Sequence, residues 1–159
     1  MRDIFQLTKV NLGCGNDATP DYLNVDIREN TLADVVADVR KLPFSDGRFD
    51  EVFSCDCLEH ISHRDTHDTL TEWVRVLSIG GKITIIVPNI MKAFKILGDN
   101  NPDYGAVINI LYGAQDYELN CHKMGFTPKY LAELLEQHGI EVDRIEESGL
   151  HIKIKGTKR

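Results

Sequence analysis

Short β-rich runs alternating with helical stretches constrain this chain more than any other feature. Residues 7–12, 22–27 (YLNVDI), 35–39 and 49–55 (FDEVFSC) are four strand candidates. Residues 82–87 (KITIIV) are the fifth, continuous and β-branched, as a strand buried on both faces should be. Between the fourth and fifth, Ser62 and Asp65 form an S-x-x-D capping-box pattern. Leu70, Trp73, Val74 and Leu77 then recur at helical spacing, and Gly80-Gly81 ends the helix. Thr127-Pro128 opens a second helix, with Tyr130, Leu131, Leu134 and Leu135 on its apolar side and Gly139 at its end. Residues 140–154 read as two strands turned at Ser148-Gly149. Strands separated by helices mean crossover connections, so the expected fold is α/β: a mostly parallel, seven-stranded sheet with helices on both faces. The closing hairpin places one antiparallel strand near an edge.

No repeat, low-complexity tract or linker divides the 159 residues, so a single domain over 1–159 is expected, large enough to bury a core. Its apolar share of 42% and charged share of 27% fit neither a disordered nor a membrane chain. No apolar run approaches the ~20 residues that span a bilayer. The first ten residues, MRDIFQLTKV, lack the apolar core of a secretory signal, which points to the cytoplasm. A net charge of −7 argues against a broad grip on nucleic acid. Cys14, Cys55, Cys57 and Cys121 form no C-x-x-C pair and are expected to be free thiols.

In open α/β sheets, ligands sit beyond the carboxyl ends of the strands. Residues 11–16, N-L-G-C-G-N, follow the first strand, and two alternating glycines allow a tight turn and close backbone approach. Asp26 closes the second strand, where a carboxylate can accept from both hydroxyls of a ribose. Asp38 and Val39 end the third, an acceptor and a backbone N–H suited to the edge of an adenine. The fourth runs out into Ser54-Cys55-Asp56-Cys57-Leu58-Glu59-His60.

In this order, N-L-G-C-G, V-D-I, A-D-x-x-x-L-P-F-x-D-G-x-F-D, L-E-H-I and L-x-x-G-G-K-I resemble the class I S-adenosylmethionine-dependent methyltransferases of small-molecule type, over about residues 9–89. The resemblance implies a Rossmann-like fold with S-adenosylmethionine as cofactor. Gly13, Cys14 and Gly15 would line its methionine part, Asp26 would hold the ribose and Ile27 would pack on the adenine. Asp38 and Val39 would read the adenine edge, Cys55 and Asp56 would contact the methionine end, and Leu58 would wall the adenine pocket. The stretch 120–127, N-C-H-K-M-G-F-T, looks like a branch linked with cell-surface sugars, which implies a small-molecule or carbohydrate-like acceptor.

Two departures matter. Asn11 stands where the family usually has an acid that meets the cofactor's amino group. The interval from Gly13 to Asp26 is also short against the ~20 residues of dinucleotide folds, so the first helix should be shortened or missing. A thinly covered flank then predicts self-association, as a homodimer, or a cofactor site more open than usual.

Methyl transfer needs mainly proximity and orientation, so no strong catalytic constellation is expected. His122, in a lid or acceptor insertion at about 90–126, is the candidate base, with His60 a pocket wall and Tyr104, Tyr112 and Tyr117 shaping the lid. Cys55, Cys57, His60, His63 and His67 form a competing metal pattern, but the usual C-x₂₋₄-C spacing is missing and no metal site is expected. A non-catalytic S-adenosylmethionine-binding module or partner subunit is the alternative function. A nicotinamide-dependent enzyme fits less well, because Ala18 stands at the third glycine position of G-x-G-x-x-G.

Overall fold

The computed structural model describes residues 3–159. Its elements in chain order are β1 (Lys9–Leu12), β2 (Leu23–Asp26), β3 (Val35–Val36), β4 (Phe49–Cys55), α1 (Thr66–Val76), β5 (Leu77–Pro88), α2 (Ile90–Leu97), α3 (Tyr104–Tyr112), α4 (Pro128–Gln137), β6 (Ile140–Ser148) and β7 (His151–Lys158). The seven strands form one sheet in the order β3-β2-β1-β4-β5-β7-β6. β7 runs antiparallel to both its neighbours, β5 and β6, and the remaining pairings are parallel. This is the mostly parallel, Rossmann-like sheet expected from the sequence. Of the helices expected on both faces, the two crossover helices share one, because no helix forms between β1 and β4. Among the described residues, no helix is long and apolar enough to cross a membrane.

The two crossover helices lie on one face. Register places Val10, Leu12, Val52, Ile83, Ile85, Ile152 and Ile154 side by side, and all join the core that Leu70, Trp73 and Val76 of α1 and Leu131, Leu134 and Leu135 of α4 complete. Each such fully buried aliphatic side chain contributes about 1.5–3 kcal/mol. The opposite face alternates into Lys9, Asn11, Glu51, Phe53, Thr84 and Lys155, a mixed polar surface. There Tyr22 donates to Glu51, and Lys9 pairs with Glu51 at 3.2 Å. The hairpin of α2 and α3 has its own small core of Ala93, Val107 and Ile110.

No helix joins β1 to β2, as the short interval after Gly13 requires. A polar network holds that connection instead. Asn24 Oδ1 accepts from Asn11 Nδ2 at 3.1 Å and from the Thr19 amide at 2.8 Å. Asn24 Nδ2 donates to the Tyr22 carbonyl at 3.0 Å and to Asp34 Oδ2 at 3.1 Å. Asp34 Oδ2 also accepts the Asn24 amide, at 2.8 Å.

Three local readings change. The third strand pairs only over Val35–Val36, after which 37–48 turns towards α1. The capping box does not form: Asp65 makes no side-chain cap bond, and the Ser62 carbonyl instead accepts from the Asp65 amide and the Thr66 hydroxyl. Nor do the glycines stop α1, which passes at Leu77 directly into β5. Gly80 and Gly81 lie inside that strand, where its register against β4 shifts; a Cβ on Gly81 would stand 2.6 Å from Leu77 Cδ1. The Thr127 cap is as expected, its hydroxyl accepting from the Tyr130 amide.

Asn24 is 2% exposed, so Asn24→Ala removes its side-chain bonds to Asn11, Thr19 and Asp34 together and takes an acceptor from the buried Asn11 amide. Denaturant unfolding should show a loss of about 2–3 kcal/mol; a loss below about 0.5 kcal/mol, the scale of an ordinary surface change, would deny the network its bracing role.

Candidate functional site

The carboxyl ends of β1, β2 and β4 open into a cleft of about 1000 Å³. Asn11, Gly13, Cys14, Gly15, Asp26, Ile27, Asp38, Val39, Cys55 and Asp56 all line it, as does His122. Leu58 does not: it is fully buried in the core, in the 3₁₀ turn Leu58–His60.

The glycine loop is clamped from several sides. The Gly13 and Cys14 amides both donate to the Val25 carbonyl, at 2.8 and 3.0 Å, and the Leu32 amide donates to the Gly15 carbonyl. Gly13 takes a positive φ of 74°, and a Cβ there would lie 2.4 Å from Cys57 Sγ. The loop thus packs its backbone directly on Cys57. Asn11 is 3% exposed, and its amide donates to Asp17, Thr19 and Asn24. Its side chain braces the loop from beneath, where the family pattern would put an acid.

Asp26 is held at both oxygens. Oδ2 accepts the Gly15 amide at 2.8 Å; Oδ1 accepts the Arg28 amide at 2.9 Å and its Nε at 3.2 Å. A carboxylate offers about four lone-pair positions, so acceptor capacity remains beside these three bonds. The Arg28 guanidinium lies 4.3 Å from the centre of the Tyr117 ring, which brings the segment after α3 against the second strand's end. Asp38 makes a two-pronged ion pair with Arg40, Oδ2 to Nη2 at 2.7 Å and Oδ1 to Nε at 3.0 Å; these bonds hold its carboxyl below the usual carboxylate range. Helix α1 fixes this segment: Trp73 Nε1 donates to the Val39 carbonyl at 3.0 Å, and Arg75 donates to the carbonyls of Leu42 and Phe44.

Asp56 follows β4 with a positive φ of 49°, a costly conformation for a non-glycine residue and one that collects at functional sites. Its Oδ1 lies 3.1 Å from His151 Nε2, because register sets His151 opposite Pro88. Burial pushes the Cys14 thiol up to about 11 and the Cys55 thiol up to about 12, so both stay protonated at neutral pH.

The far wall comes from the segment around α3. His122 is largely buried; its Nδ1 donates to the Ile110 carbonyl at 2.9 Å, and its ring packs edge-on against His60 with centres 4.9 Å apart. His122 Nε2 is 3.9 Å from Glu59 Oε1. Of the three lid tyrosines only Tyr117 lines the cleft; Tyr104 and Tyr112 are exposed on α3. His63 and His67 do not join Cys55 and Cys57: both are exposed, and His67 packs on His138 instead.

Glu59, Arg28 and His151 also line the cleft, and the sequence reading passed over all three. Glu59 had a signal, an acid between Leu58 and His60 directly after a buried strand. His151 had none, since only the β7 register brings it there.

Residues 10–85 match the family model of a methyltransferase domain. Among solved structures, a Pyrococcus horikoshii protein superposes with a TM-score of 0.69 at 20% identity, over 95% of this chain and 81% of that one. An S-adenosylmethionine-dependent methyltransferase from Mesorhizobium loti gives 0.69 at 15% identity, over 99% and 94%. The Burkholderia thailandensis 1,6-didemethyltoxoflavin-N1-methyltransferase, solved with 1,6-didemethyltoxoflavin and S-adenosylhomocysteine, gives 0.67 at 17%, over 94% and 70%. At these identities the likeness is one of fold.

Gly13→Ala sets a Cβ against Cys57 and strains a positive φ. Thermal and denaturant unfolding should show a loss of about 2 kcal/mol or more. Adding Cys57→Gly removes the clashing atoms and should restore part of it; no restoration would mean that the close contact is not what demands glycine.

Proposed function

On a chain that carries a methyltransferase domain in the class I fold, we propose that the cleft binds S-adenosylmethionine and that the protein transfers its methyl group to a small-molecule or carbohydrate-like acceptor. The observation that carries this reading is the convergence of Gly13, Cys14, Gly15, Asp26, Asp38, Val39, Cys55 and Asp56 on one cleft. The volume, about 1000 Å³, is at the upper end of the range for small-ligand pockets, which leaves space for a cofactor and an acceptor together.

The residues present fit such a group. Gly13 and Gly15 present backbone to the cleft at positive φ, a conformation that favours glycine. Asp26 keeps acceptor capacity for ribose hydroxyls beside its bonds to Gly15 and Arg28. Asp56, at the end of β4, places a carboxylate on the side of the cleft where a cation would be welcome. When bound, the cofactor supplies an electrophilic methyl group on a positively charged sulfur with a good leaving group. The protein's work is then to orient and to exclude water. Arg28 stacked on Tyr117 closes one flank of the cleft, and the segment 109–123 walls the acceptor side.

Isothermal titration with S-adenosylhomocysteine should show saturable binding to one site. Asp26→Ala should weaken it at least tenfold, whereas Asp68→Ala, on the exposed side of α1, should leave it within twofold. No binding at millimolar ligand, or equal effects of the two variants, would overturn the reading. Binding without methyl transfer to any member of an acceptor library would favour a non-catalytic cofactor-binding module.

A further inference from the structure

Glu59, His60 and His122 form a group that cofactor binding leaves without a task. Glu59 is 1% exposed, and among the described residues neither of its carboxyl oxygens has a hydrogen-bond partner. Native proteins seldom leave buried polar atoms so, because each costs its full desolvation. Both neighbouring rings are held in one tautomer. His60 Nδ1 lies 3.1 Å from the Cys121 carbonyl and His122 Nδ1 lies 2.9 Å from the Ile110 carbonyl. A carbonyl only accepts, so the ring protons sit on Nδ1 and each Nε2 keeps its lone pair. Metal-ligating histidines are oriented by this kind of outer hydrogen bond. The backbone fixes the arrangement further: the Lys123 and Met124 amides donate to the Glu59 carbonyl at 2.8 and 3.1 Å, tying the segment carrying His122 to the turn carrying Glu59 and His60.

We propose that Glu59, His60 and His122 bind a divalent transition-metal ion at the edge of the cleft. One potential ligand atom from each of the three lies within 4.8 Å of the others, and all three residues line the cleft. Two imidazoles and one carboxylate suit zinc, manganese, iron(II), cobalt or nickel better than magnesium or calcium, which prefer all-oxygen sites. Three protein ligands leave positions open for water or an acceptor oxygen.

The binding site stands on these residues alone; its role rests on the methyl-transfer reading. An acceptor hydroxyl bound to the ion loses its proton to water, because the cation lowers its pKa. The resulting oxygen attacks the methyl carbon of the sulfonium; the carbon–sulfur bond breaks and its electron pair stays on sulfur as a thioether. His122, the base candidate of the sequence reading, acts here as a ligand.

Protein freed of metal by chelation and dialysis is titrated with Co²⁺ while its visible spectrum is followed. One Co²⁺ per chain should bind, with ligand-field bands and no sulfur-to-cobalt charge-transfer band. His122→Ala and Glu59→Gln should each lower the affinity at least tenfold. Glu59→Gln keeps the side chain's size and takes no hydrogen bond from the protein, so it should fold; its unfolding temperature without metal should match or exceed that of the unaltered chain. No saturable binding, unchanged affinity in both variants, or a thiolate band from the cysteines would each overturn the site. The same preparations are titrated with S-adenosylhomocysteine. Binding of that ligand without Co²⁺ binding removes the metal site and keeps the cofactor reading. Co²⁺ binding alone keeps the site and removes the role given to it.

Discussion

The buried amide of Asn24 is the contact on which the open half of this molecule depends. It ties β2 to the loop from β1, through Asn11 and Thr19, and to the approach to β3, through Asp34. A helix would ordinarily cover that crossover and hold the glycine loop by packing. Here the loop is held by directed hydrogen bonds and by the seating of Gly13 on Cys57. Directed bonds fix geometry more sharply than apolar contact, which suits a segment whose backbone must meet a ligand closely.

The other half is held by burial. α1 and α4 cover one face of the sheet, and α1 reaches further than its core side. Trp73 and Arg75 bond the carbonyls of Val39, Leu42 and Phe44, so the loop after β3 takes its position from a helix rather than from strand pairing. β3 can therefore shrink to two residues without releasing Asp38 and Val39 from the cleft. The cleft lies where these two regimes meet, one wall built of polar braces and the other anchored to the apolar core.

Much of this is legible in the sequence, for physical reasons that differ from element to element. β4 reads residue for residue, because its one-sided burial produces alternation, and β5 reads through its β-branched centre. Thr127 reads because a cap is a local interaction. The missing helix after Gly15 reads from length alone. Gly80 and Gly81 mislead, since a bulge inside a strand and a helix stop demand the same residue. Ten of the eleven proposed cofactor positions reach one cleft because strand ends in a parallel sheet converge by topology. Leu58 misses it because the turn after β4 points that side chain into the core. Glu59 escapes notice because nothing local distinguishes a buried acid from an exposed one; its burial depends on the segment around His122, sixty-odd residues away in the chain.

The placement of β7 has a consequence for the order in which this protein can be finished. β7 comes last among the elements yet lies between β5 and β6, and it carries His151 to Asp56. During synthesis, β5 and β6 emerge before the strand that lies between them, and their facing edges stay open to foreign strands until β7 arrives. Assembly of the sheet is thus completed from the inside. β7 works as a closing piece, so the cleft reaches its final form only after β5 and β6, on either side of it, have been made.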